Sequence, residues 1–270
     1  LGMPGFTGWF GLNEHGRPKP GETLVVAAAT GPVGSMVGQL AKRAGLRVIG
    51  IAGTDQKCQI ALNEFGFDHC INHRKFENAK DLRREVSQYA PNGVDVYFEN
   101  VAGPVLEALL PMLNVHARVP VCGMISWYNA GRLGGDALTE ALSAPKIWRT
   151  ILVNRLSVSG FIISDHWDQF PTFLREVAPL VNEGTIRYIE DVTVGLERAP
   201  ETFIGMLNVK TKAKLSSKFV SQYRCLFAVQ RAPSELEACG HIIVRFFQGC
   251  LPFQLVPHRK KSPHIEAFFR

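Results

Sequence analysis

The stretch Thr23-Leu24-Val25-Val26-Ala27-Ala28-Ala29-Thr30-Gly31-Pro32-Val33-Gly34 decides how this chain is read. Its first half is a near-continuous apolar run, the pattern of a strand covered on both faces. Its second half is a glycine fingerprint of the dinucleotide-binding kind, with alanine in the first glycine position. In such a fingerprint Gly31 lets the backbone approach a pyrophosphate, and Gly34 lets the next helix pack closely on the strand. Pro32 stands at a helix start, where its missing N–H costs little. The free amides of that first turn, Val33 among them, point at the phosphates. Val33, Val37, Leu40, Ala41 and Ala44 recur on one helical face, and Gly45 is placed to stop the helix. Glycine spacing alone also suits a tight structural turn; the strand before it and the helix after it favour the phosphate cradle.

Working outward, the same rhythm runs to about residue 165. Strands are expected at Arg47–Ala52, Cys70–Asn72, Val94–Glu99, Arg118–Cys122 and Ser157–Ile163. Pro120 counts against a central position for the fifth strand. Between them lie helices from an Asp55 N-cap to about Phe65, over Ala79–Tyr89 and across Val105–Leu110. Further on, helices at Phe170–Val181 and Pro200–Leu207 flank a strand-like Ile186–Val194. Six strands alternating with helices make an α/β fold, a doubly wound parallel Rossmann sheet. Residues 1–190 read as that domain with a leading helix, 191–215 as a return segment, and 216–270 as an atypical, poorly ordered tail.

Composition narrows the function classes. The chain has 270 residues, 46% hydrophobic and 20% charged, enough to bury a large core. No run approaches the roughly 20 apolar residues that span a bilayer. The six cysteines are scattered without CxxC pairing, which points to a reducing, cytoplasmic setting. Five of the six net positive charges fall after residue 215, so the nearly neutral body argues against nucleic acid as a partner. The chain opens on Leu1 and reaches Pro4-Gly5 almost at once, which reads as a truncated N-terminus.

The nicotinamide cofactor is selected near the end of the second strand, where an acid favours a ribose 2′-hydroxyl and basic groups a 2′-phosphate. Here the sequence is Gly53-Thr54-Asp55-Gln56-Lys57, with no acid at the strand end itself. Lys57 is the candidate partner of a 2′-phosphate, or else a solvated lysine in a first helical turn. NADP is therefore favoured over NAD. His69 and His73 have i, i+4 spacing with Cys70 between them, but no helical pattern joins them, and no metal site is expected.

Several longer motifs carry a resemblance. Met3-Pro4-Gly5-Phe6-Thr7, Ala28–Gly34, Gly38-Gln39, Tyr97-Phe98-Glu99-Asn100-Val101, Val121-Cys122-Gly123, Tyr128-Asn129, Gly160-Phe161-Ile162-Ile163 and Thr202-Phe203-Ile204 recur in order. Over roughly residues 1–210 the chain resembles the zinc-free medium-chain dehydrogenases/reductases. The resemblance is to the prostaglandin reductase and alkenal double-bond reductase branch, near the NADPH-dependent curcumin reductases. It implies NADPH-dependent reduction of a carbon–carbon double bond conjugated to a carbonyl, with hydride delivered to the β-carbon of an enone or alkenal. It also implies homodimers joined through an edge strand.

Carried over, Gly31, Val33 and Gly34 would contact the pyrophosphate and Lys57 the 2′-phosphate. His73 stands where relatives often place a tyrosine near the adenosine. Asn100 would meet the ribose–nicotinamide side, framed by Cys122 and Gly123, and Phe161, Ile162 and Ile163 would line the nicotinamide pocket. Tyr128 would hydrogen-bond the substrate carbonyl, where negative charge develops. Each has a plainer alternative: a turn residue for Asn100, an ordinary half-buried aromatic for Tyr128, core packing for Phe161–Ile163.

The chain also departs from that family. Members begin with a separate barrel-like (GroES-like) catalytic domain, and their substrates bind in the cleft between the two domains; that domain is missing from this sequence. Where relatives carry Asn-x-Gly-Lys before an apolar last strand, this chain has Thr211-Lys212-Ala213-Lys214 and a polar Leu215-Ser216-Ser217-Lys218. Three functions therefore stand side by side: an enone or alkenal reductase, an NADP-binding module without turnover, and a quinone reductase of the same superfamily.

Overall fold

The computed structural model describes residues 1–126, 144–207 and 214–218, all within one unit, Leu1–Val220. Helix α1 (Met3–Phe10) runs into a π-helical turn, Gly11–Gly16. There follow β1 (Thr23–Ala27), α2 (Pro32–Arg43), β2 (Arg47–Ala52), α3 (Asp55–Asn63) and β3 (His69–Asn72), then a short 3-10 turn, His73–Lys75. The second half is α4 (Ala79–Tyr89), β4 (Val94–Phe98), α5 (Gly103–Leu109), β5 (Leu113–Val121), α6 (Ala144–Asn154), β6 (Ser157–Gly160) and α7 (Phe170–Asn182). Beyond it come β7 (Glu190–Val194), α8 (Ala199–Leu207) and β8 (Lys214–Lys218).

The first six strands form one parallel sheet in the order β3-β2-β1-β4-β5-β6. This is the doubly wound dinucleotide-binding order, whose switch point lies between β1 and β4. β7 and β8 pair separately, also in parallel. The sheet is buried on both faces because its strands send alternate side chains into two apolar layers. Leu24, Val26, Val48 and Val96 pack with α1, α2 and α7. Val25, Ile49, Ile71 and Val119 pack with α4, α5 and the inner face of α6. All five residues of β1 are buried, as its unbroken apolar run predicts.

Small residues bring the layers together. A Cβ on Gly38 of α2 would lie 2.0 Å from Phe67 Cζ, so the helix sits at this depth only because that position has no side chain. The leading helix is held by an aromatic cluster: Phe6 packs with Phe10, Trp167, Phe170 and Phe173 at ring centroid distances of 5.4–6.2 Å. Trp9 Nε1 donates to Glu176 on α7 at 2.9 Å. At the far end of the sheet the Arg118 guanidinium pairs with Glu22 and donates to the carbonyls of Gly16 and Arg17. A nearly buried arginine with all these partners fastens the π-helical turn to β5.

Several expectations are corrected at element ends. Thr54, not Asp55, caps α3: its hydroxyl accepts from Lys57 N at 3.2 Å, and Asp55 is the first helical residue. The sixth strand stops at Gly160, and Ile163 opens a 3-10 segment reaching Gln169. Pro120 lies inside an interior strand despite lacking an N–H; its carbonyl still accepts from Glu99 N at 2.9 Å. The strand-like Ile186–Val194 contracts to Glu190–Val194, with Ile186 buried in the core.

Candidate functional site

At the end of β1 the chain turns through Ala28, whose φ is 53°, a left-handed conformation that costs a residue with a Cβ. Gly31 N donates back to Ala28 O at 2.9 Å, closing the turn, and Gly31 is the extended N-cap of α2. A Cβ on Gly34 would stand 2.3 Å from Ala28 O and 3.0 Å from its carbonyl carbon. Only glycine lets the first turn of α2 lie against this loop. The amides of Val33 and Gly34 belong to that first turn and have no acceptor within the helix. The cradle is therefore made of backbone, with its amides aimed beyond the end of β1.

Across the switch point, the end of β4 is tied to both neighbours. Asn100 Nδ2 donates to Ala27 O at 2.9 Å, and Asn100 Oδ1 accepts from Cys122 Sγ at 2.8 Å. Glu99 is buried and organises the turn: it accepts from Tyr97 Oη at 2.9 Å and from the backbone N–H groups of Val101 and Ala102 at 2.6 and 2.8 Å. Burial raises its pKa above the ordinary carboxylate value, and those N–H donors oppose the rise. Burial, and then the Glu99 charge, push the Cys122 thiol up to about 12, so Cys122 is a protonated donor at neutral pH. Gly123 follows, half-buried. Next, Ile125 N and Ser126 N donate to the carbonyls of Asn100 and Val101 at 3.0 and 3.1 Å.

Beyond β2, side chains replace backbone. A Cβ on Gly53 would lie 3.6 Å from His73 Nε2 and 3.5 Å from Arg74 Nε. Both side chains therefore cross from the end of β3 to the end of β2. Lys57, on the first turn of α3, is half-buried; burial lowers its basicity, and the neighbouring Arg74 charge lowers it further. His73 is shifted down for the same two reasons, burial first. Arg74 went unnoticed in the sequence reading. Its only signal there was a basic residue two positions after the third strand, one crossover away from the glycine it approaches.

The remaining candidates separate. Phe161 and Ile163 are packed in the core, with the Phe161 ring 5.6 Å from Phe10 and 5.0 Å from His15, whereas Ile162 is 66% exposed. Tyr128 and most of the glycine-containing loop after it lie outside the described residues. His69 stacks on Tyr89 at 3.3 Å, and among the described residues no group of three or more His, Cys, Asp or Glu side chains is disposed to hold a metal. No described helix is long and apolar enough to cross a membrane.

This geometry has known counterparts. Residues 32–179 match the family model described as zinc-binding dehydrogenase. The NADPH-dependent curcumin reductase of Escherichia coli (strain K12) is 48% identical over 218 residues, which are 80% of this chain and 60% of that protein. The NADP(+)-dependent 2-alkenal reductase of Nicotiana tabacum is 38% identical over 79% of this chain and 59% of its own. Among solved structures, CurA from Vibrio vulnificus in complex with NADPH is 44% identical, with a TM-score of 0.74 over 82% of this chain and 63% of that one. The chain thus spans about 60% of the length of the curated relatives it matches. Its sheet order, its glycine cradle and a family match across more than half its length lead to one conclusion: the chain belongs to the zinc-binding dehydrogenase family, in the medium-chain dehydrogenase/reductase branch that includes the curcumin, alkenal and prostaglandin reductases.

Proposed function

We propose that this chain supplies the NADPH-binding part of a reductase that acts on the carbon–carbon double bond of enones or alkenals. The observation that carries the reading is the pairing of a backbone phosphate cradle at β1 with basic side chains at the end of β2 that, among the described residues, have no carboxylate partner. The residues present fit a dinucleotide phosphorylated on its adenosine ribose. Gly31, Val33 and Gly34 face the pyrophosphate, with the N-terminus of α2 behind them. Lys57 takes the 2′-phosphate, and His73 lies near the adenosine. When bound, the cofactor supplies hydride.

The chain's own residues position and enclose. Asn100, braced between Ala27 O and Cys122 Sγ, presents a fixed amide on the ribose–nicotinamide side. Its ties to two strands restrict its rotamer, which favours orientation over proton transfer. Cys122, held as a thiol, locks that amide and takes no part as a nucleophile. Ile162 is the exposed member of the Phe161–Ile163 motif and the apolar surface available to the nicotinamide ring. Tyr128 donates to the substrate carbonyl, where its phenol stabilises developing negative charge.

The relatives named as curcumin, 2-alkenal and (+)-pulegone reductases support the substrate class. The test has two stages. Calorimetry of the purified chain is expected to give tighter binding of NADPH than of NADH. A fusion carrying the part of a relative that this chain does not span should then consume NADPH with a conjugated enone and not with its saturated ketone. NADPH binding without enone-dependent consumption in the fusion would leave a binding module and defeat the reductase reading.

A further inference from the structure

His73 and Arg74 reach over Gly53 at the end of β2, Lys57 on the first turn of α3 lies within electrostatic reach of Arg74, and among the described residues none of the three is paired with a carboxylate. Partly burying an ammonium group beside another cation, with no counter-charge, is unfavourable. Held in place by the fold, such a cluster is set up for an anion from outside the chain. The carboxylate nearest in sequence is Asp55, two residues before Lys57, and it is engaged elsewhere. Lys75 Nζ lies 2.8 Å from Asp55 Oδ1, and Asn72 Nδ2 donates to the same oxygen at 3.0 Å. The Lys75 hydrogen bond, followed by the Asn72 one, holds Asp55 below the usual carboxylate range, so it is fully charged while it points at these partners.

We infer that Arg74 determines specificity for the 2′-phosphate of NADPH, and that Lys75 is a positioning residue that keeps Asp55 engaged away from that phosphate. The inference rests on the NADPH reading above and assigns its selectivity. Arg74 has the required chemistry, because a guanidinium presents a planar fork that matches phosphate oxygens in pairs. Its backbone is fixed as well: Arg74 N donates to Asn72 Oδ1 at 3.1 Å, so the 3-10 turn that starts at His73 aims it over Gly53. Asn72 thus serves both parts, orienting Arg74 through its oxygen and Asp55 through its nitrogen. Released from Lys75, Asp55 would be a negative charge at the first turn of α3, close to where an acid selects a ribose hydroxyl and repels a phosphate.

The experiment is calorimetry of the full chain with NADPH and with NADH, comparing the ratio of the two affinities across variants. Arg74→Ala is expected to weaken NADPH by about tenfold, the scale of one charge-assisted contact, and to leave NADH unchanged. Lys75→Met is expected to lower the NADPH-to-NADH ratio by about threefold, in keeping with an exposed pair. Adding Asp55→Asn to Lys75→Met should restore the ratio, which a merely structural role for Lys75 would not produce. Arg74→Gln, which keeps a planar amide without the charge, should match Arg74→Ala and guards against local unfolding in the smaller variant. An unchanged ratio in both Arg74 variants overturns the assignment of Arg74. An unchanged ratio in Lys75→Met, or failure of Asp55→Asn to restore it, overturns that of Lys75. A wild-type chain that does not prefer NADPH defeats the underlying reading instead, whatever the variants do.

Discussion

The two ends of the site are built in opposite ways. The cradle after β1 is backbone: a left-handed Ala28, an N-cap at Gly31 and a Gly34 with no room for a Cβ. The end after β2 consists of side chains: His73 and Arg74 reach over Gly53, and Lys57 comes from α3 within electrostatic reach of Arg74. A backbone site depends on packing, so damage to it is damage to the fold. A side-chain site stands on the rim, where charges can be exchanged at little cost to stability.

The sharpest way to break this contrast is Gly34→Val. With even a Cβ only 2.3 Å from Ala28 O, the variant is expected to lose about 3 kcal/mol of stability through overpacking, together with all NADPH binding. Thermal unfolding and calorimetry on the same sample would check both. Lys57→Ala should do the reverse, leaving the melting temperature within error while weakening NADPH about tenfold and NADH not at all. If Lys57→Ala melts early, the end after β2 is structural after all and the contrast fails.

Ala28→Gly refines the cradle side. Relief of the left-handed strain, roughly 1–2 kcal/mol, is partly offset by the greater freedom of glycine in the unfolded chain. A net gain of about 0.5 kcal/mol is expected in denaturant unfolding. Glu99→Gln gives the smallest effect and concerns pH. Burial raises the Glu99 value in the folded state, so its contribution to stability is full below the ordinary carboxylate range and is lost as pH rises through the raised value. The wild-type melting temperature should therefore decline across that window, and the Gln variant should run flatter.

How much could be read beforehand follows the same division. Residues 23–34 announce a strand, a turn and a helix start through local chemistry, and the structure has all three, with α2 beginning at Pro32. Strand Arg47–Ala52 and helix Ala79–Tyr89 likewise lie where their periodicity puts them. The errors are at junctions. Asp55 and Thr54 are both good caps, and only the path of the chain out of β2 decided that Thr54 would accept from Lys57 N. The apolar Phe161–Ile163 looked like more strand, but Ile163 is spent on the core beneath a 3-10 turn.

By itself, the sequence determined the layered α/β class and the place of the glycine turn between β1 and α2, because propensity, apolar period and glycine placement are local properties. Tertiary structure alone decided that Arg74 reaches Gly53, that Lys75 and Asn72 engage Asp55, and that Asn100 braces β1 against β5. Those contacts join residues 17 to 73 positions apart in the chain. They exist only once parallel crossovers have brought the ends of neighbouring strands together at one edge of the sheet.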